Sequence, residues 1–143
     1  PEANYPPRLL GVKKVDLTPL LYEGKKAPDG AVRARLLAEV SKLRSDPAFF
    51  HYELGEGEMQ LQGRSWQQRL EWCRSAIRWI READPNHLIL GPESWLVGHP
   101  GHNEVLSRFA DWDAVGVEAS YEAVPRIREA LRGAPRRPAV IVG

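Results

Sequence analysis

Residues 49–59 read Phe-Phe-His-Tyr-Glu-Leu-Gly-Glu-Gly-Glu-Met. A short apolar run carrying aromatics passes straight into Glu53, Glu56 and Glu58, with Gly55 and Gly57 set among them. The aromatics suit a strand, and the glycines mark the turn that leaves it. Carboxylates in that position stand at the C-terminal mouth of a buried strand. In parallel α/β folds the loops leaving that end of the sheet line the cleft, which is where catalytic groups collect. The plain alternative is a solvated acidic loop, because carboxylates are mostly exposed wherever they occur.

Upstream, Asp29 is placed to cap a helix expected over 31–44. There Val32, Leu36, Val40 and Leu43 recur at spacings that put them on one helical face. Ser45-Asp46-Pro47 ends it, and a strand is expected at 48–54. Downstream, Ser65 with Gln68 is a capping-box pattern opening the strongest helix, 66–83. Trp66, Leu70, Cys73, Ile77 and Ile80 form its apolar stripe, and Trp72 and Trp79 widen it as a helix packed on a sheet requires. Asp84-Pro85-Asn86 is the stop, and 87–90 is a short apolar strand leading to Gly91. A helix near 104–111, a strand at 114–117, a helix at 124–131 and a strand at 139–142 complete the order.

Residues 1–30 are rich in proline and glycine and read as an irregular N-terminal segment with one extended stretch within 9–21. Residues 31–143 alternate helix and strand, and each strand is a continuous apolar run. That is the pattern of a parallel sheet buried by crossover helices.

Composition narrows the function classes. The 143 residues suit one domain, and a net charge of +1 with acids and bases interspersed gives no electrostatic case for nucleic acid. The basic knot at 132–137, RGAPRR, is short enough to be a solvated loop. No apolar run approaches the roughly 20 residues that span a bilayer, and no signal-peptide pattern is present. The single cysteine, Cys73, excludes an internal disulfide and falls on the helical stripe as a small core residue.

The segments DPAFFHYELGEGEM, IRWIREADPNHLILG, DWDAVGVEASY and RRPAVIVG, in that order, resemble the (β/α)₈ glycoside hydrolases of the large retaining clan, the cellulase- and mannanase-like enzymes. The resemblance covers about residues 31–143 and implies strands four to seven of a TIM barrel. A small open α/β sheet is the alternative fold. A full barrel takes about 250 residues, so the remainder of the barrel or a second copy would have to cover the sheet edges. The resemblance further implies a β-linked poly- or oligosaccharide substrate, a two-carboxylate retaining mechanism, no cofactor, and a secreted or periplasmic setting.

The same resemblance places the acid/base after strand four. Laid over Tyr52-Glu53-Leu54-Gly55, the family motif puts Glu56 at its Asn/Asp position, Gly57 where the catalytic Glu stands, and Glu58 in place of a proline. Glycine has no proton to give, so Glu56, then Glu58, is the expected acid after a local shift. A non-catalytic carbohydrate-binding protein is the other outcome. The family's nucleophile would directly follow Gly143.

Glu93 and Trp95 are expected at the cleft lip as a polar contact and a stacking platform, and an indole suits the apolar face of a pyranose. Glu118 and Tyr121 end the strand at 114–117; in the family a Tyr near there bonds the nucleophile. Glu53 is expected either inward in the barrel or in an ion pair. His99 and His102 lack a nearby third ligand, so no metal site is expected.

Overall fold

The computed structural model describes residues 13–23, 26–55, 63–94, 111–117 and 139–142, with the single positions 125, 129 and 132; for Trp66 and for 92–94, 115–117 and 139–142 it describes the backbone alone. Five strands form one sheet in the order β1-β2-β3-β4-β5. They are Lys13–Asp16 (β1), Phe49–Glu53 (β2), Leu88–Ser94 (β3), Ala114–Val117 (β4) and Ala139–Val142 (β5). Every neighbouring pair is parallel. The fold is α/β.

Three helices are Thr18–Tyr22 (α1), Gly30–Leu43 (α2) and Trp66–Ala83 (α3). Asp29 caps α2 by accepting from the backbone N–H groups of Ala31 and Val32 at 3.0 and 3.1 Å. The Ser65–Gln68 capping box closes in both directions at the start of α3. Gly63, two residues earlier, takes a φ of 87°, a conformation that L side chains rarely adopt. Positions 125, 129 and 132 are helical, within or beside the helix expected at 124–131; the helix expected near 104–111 lies almost wholly outside the described residues.

The N-terminal stretch and the pairing of β2 both differ from the sequence reading. The extended stretch within 9–21 is a strand only over Lys13–Asp16; at Thr18 the chain turns helical, with a proline in the first turn of α1 where its missing N–H costs nothing. In β2 the register with β1 shifts between Lys13 and Lys14, so that Lys13 faces Phe49 and Lys14 faces His51. The extra residue breaks the alternation by one. Phe49 and Tyr52 therefore both turn to the core, with ring centroids 4.6 Å apart, while Phe50 is 49% exposed.

The helices pack on one another and share one core with the sheet: Leu17, Leu21, Tyr22, Leu36, Val40, Tyr52, Leu54, Cys73, Ile80 and Ile89 are completely or almost completely buried. Because partners in a parallel ladder face the same way, Val15, Tyr52 and Ile89 form the helix-facing row. Lys14, His51 and Leu88, and then Asp16, Glu53, Leu90 and Ala114, form rows on the opposite face.

The turn from α3 into β3 is built around Asp84, which is 3% exposed. It accepts the Tyr52 hydroxyl at 2.7 Å and the backbone N–H groups of Asn86 and His87, and meets His87 Nδ1 at 2.7 Å. Burial alone would raise its pKa, but the bonds from Tyr52, His87 and Asn86 outweigh burial and hold it below the ordinary value. Burial, and then the bond to Asp84, push the Tyr52 phenol well above its own.

Ile77 is 3% exposed on the α3 stripe, so Ile77→Ala should cost about 2–5 kcal/mol in urea denaturation; a loss of a few tenths would remove it from the core. Asp84 has a lower pKa folded than unfolded, so its stabilisation is full above about pH 3.9 and fades as the pH falls through the folded value. Asp84→Asn is expected to cost about 1–3 kcal/mol at neutral pH and to make the acid limb shallower. It would not abolish that limb, since Asp29, Asp46 and Glu53 are also held low. Urea melts across the acid range give the slope, and an unchanged slope would contradict the assignment.

Candidate functional site

The C-terminal edge of the sheet is where the sequence points to chemistry, and β2 reaches that edge with its backbone fully committed. Leu17 N–H donates to Glu53 C=O at 2.9 Å, and Leu54 N–H donates to Leu90 C=O at 3.0 Å. The Trp112 indole N–H donates to Leu54 C=O at 2.7 Å. Gly55 N–H donates to Thr18 Oγ1 at 2.8 Å, while its C=O accepts the Tyr22 hydroxyl at 3.2 Å and the Cys73 thiol at 3.0 Å. Elements on both flanks of β2 thus fix the point at which the chain leaves for Glu56. Cys73 is core, as its stripe position requires, but its thiol also serves this backbone contact.

On the face away from the helices, Asp16 stands beside Glu53 at the last paired positions of β1 and β2, with Lys14 beside His51 below them. Lys14 Nζ donates to Glu53 Oε1 at 2.8 Å, and His51 Nε2 meets the same oxygen at 3.3 Å. Burial would raise the Glu53 pKa, but Lys14 first and His51 second overcome it and hold the carboxyl below its usual range. Asp16 is partly committed: its Oδ1 accepts the Thr18 N–H at 2.9 Å. His51 Nδ1 is buried and has no hydrogen-bond partner among the described residues.

Of the residues singled out by sequence, Glu56 and Glu58 follow Gly55 directly but lie outside the described residues, as do Trp95, His99, His102, Glu118 and Tyr121. Glu93 belongs to β3, which runs on to Ser94, past the expected end at Leu90; only its backbone is described. Glu53, expected inward or in an ion pair, is on the face away from α1, α2 and α3 and in an ion pair. Among the described residues no group of three His, Cys, Asp or Glu side chains is disposed to hold a metal ion. A pocket of about 300 Å³ on α3, lined by Arg74, Ile77, Arg78, Arg81 and Asp111, offers little to a ligand. Arg74 is already paired with Asp111 and Glu71, and Arg81 with Asp113.

Sequence reasoning missed Thr18, Tyr22 and Trp112, whose roles depend on partners far along the chain. The only local sign was Thr18 ahead of a proline, a helix-start pattern. No protein-family model and no curated protein matches this chain.

Thr18→Val keeps the shape of the side chain but removes the acceptor for Gly55 N–H, and a buried amide left unpaired costs about 1–3 kcal/mol. The expected result is a loss of that size in chemical denaturation, with faster hydrogen exchange at the Gly55 amide. Thr18→Ser, which keeps the oxygen, should restore the amide's protection. Equal protection in Thr18→Val would show that this bond does not hold the strand end.

Proposed function

We propose that this chain is part of a retaining (β/α)₈ glycoside hydrolase-like barrel, about its strands four to seven, acting on a β-linked poly- or oligosaccharide. The supporting observation is the strand order: parallel neighbours in strict sequence order, with α1, α2 and α3 sharing one core on one face. A doubly wound sheet reverses its strand order at a switch point and carries helices on both faces; a barrel wall does neither. On this reading the face away from α1, α2 and α3 looks into the barrel, and the mouth lies at the end of β2 where Gly55 is fixed.

Glu56, or Glu58 after a shift of the loop, is the proton donor, and the ionised nucleophile projects beyond residue 143 from the end of β5. The retaining mechanism needs the two carboxyls about 5–5.5 Å apart, with the donor kept protonated. Glu93, Trp95, Glu118 and Tyr121 are the proposed sugar contacts. The rest of the barrel, or a second copy of the chain, covers the open face and edges. Gly57, at the family's catalytic position, is the observation that favours the second reading, a carbohydrate-binding protein with a degenerate site.

The test is turnover of β-linked oligosaccharides by the full gene product, with the anomer of the product followed by NMR. Retention is expected, and Glu56→Gln should lower turnover by about 10²–10⁴-fold without changing the melting temperature, because it removes only the proton donor. If Glu58→Gln carries that loss instead, the role is Glu58's. Sugar binding without turnover selects the binding protein, and neither binding nor turnover retires the carbohydrate reading.

A further inference from the structure

Asp84 and Glu53 are both held ionised by their neighbours, and they are used differently. Asp84 has its acceptor capacity filled by Tyr52, His87 and two backbone N–H groups, and is buried. It is structural. Glu53 receives both of its bonds, from Lys14 and His51, on Oε1, and no bond from the described residues reaches Oε2. Its side chain is 34% exposed, and that of Lys14 is 64% exposed. An ion pair this open adds little to folding stability, so stability alone does not explain the arrangement. Glu53 also occupies the last paired position of β2, on the face away from the helices. In parallel α/β folds, ligands meet the sheet at that end.

We propose that Glu53 is a sugar-contacting carboxylate at the floor of the cleft, accepting hydroxyl hydrogens through Oε2, with its orientation set by Lys14 and His51. The proposal rests on the carbohydrate reading above. An ionised carboxylate is an acceptor only, which matches a sugar hydroxyl able to donate. Lys14 balances its charge, so the pair exerts little net pull on a cationic ligand. Glu53 is thereby a binding and specificity residue. It is not the proton donor, since the two groups that aim it also keep its proton off.

The experiment is a titration of the full gene product with cellohexaose and, in parallel, mannohexaose, read by calorimetry and by the ¹³C resonance of the Glu53 carboxyl. Binding is expected to move that resonance. Glu53→Gln should weaken binding about tenfold or more, the usual consequence of losing a hydrogen bond to a charged group. Lys14→Met should weaken it less, and both variants should melt like the wild type. If a hexaose binds equally well to Glu53→Gln and the wild-type carboxyl resonance stays still, the assignment of Glu53 is wrong and the carbohydrate reading survives. If neither hexaose binds the wild type, both are wrong. Should Glu53→Gln fold poorly, the carboxyl resonance of the unmutated chain decides alone.

Discussion

Parallel strands laid side by side in sequence order leave only one face for the helices that connect them. Right-handed crossovers are all but obligatory between parallel strands, and an order that never reverses turns each one to the same side. Here that side is filled by α1, α2 and α3 with Tyr52, Leu54 and Ile89 beneath them. The other face carries a mixed set: Lys14, His51 and Glu53 in a charged group, and Leu88 42% exposed. Parallel sheets are almost always covered on both faces, because their ladders give up stability when wet. The two faces of this sheet are therefore chemically distinct.

β2 is the strand on which that division turns, and it is held at both ends by buried polar contacts from the helical side. The Tyr52 hydroxyl and the Asp84 carboxylate join the strand to the end of α3, and His87 packs its ring 4.9 Å from Phe49 at the strand's first residue. At its exit, Thr18, Tyr22, Cys73 and Trp112 saturate the backbone of Leu54 and Gly55. Such networks stabilise only when every member is satisfied, and a single missing partner is costly. Their effect here is to leave β2 little freedom to slide or tilt.

Much of this frame was legible from local pattern. The stripe Leu70, Cys73, Ile77, Ile80 needs only the 3.6-residue period, and the caps at Asp29 and Ser65 need only a spacing of two or three residues. What escaped the sequence depends on partners that meet only after folding. Tyr52 and Asp84 are 32 residues apart, Thr18 and Gly55 are 37, and Leu54 and Trp112 are 58. The bulge at Phe49 and Phe50 was hidden for a related reason. Two adjacent phenylalanines look alike in sequence, and only the register with β1 decides which is core and which faces water.

The charges on the face away from α1, α2 and α3 also constrain the proposed chemistry. A proton donor for glycoside cleavage must hold its proton near neutral pH, which burial or a neighbouring anion achieves and a neighbouring cation defeats. Glu53 has an ammonium 2.8 Å away, so although it sits in the strand that leads to the mouth, it is in the wrong protonation state for that task. On the proposed reading the donor is therefore a residue other than Glu53. Glu56 and Glu58 are the next two acids in the chain. Thr18, Tyr22 and Cys73 fix Gly55 where β2 ends, so Glu53 is held by the strand itself. The proposed retaining pair is an acid/base and a nucleophile, and Glu53, ionised and already bonded to Lys14 and His51, is assigned neither role.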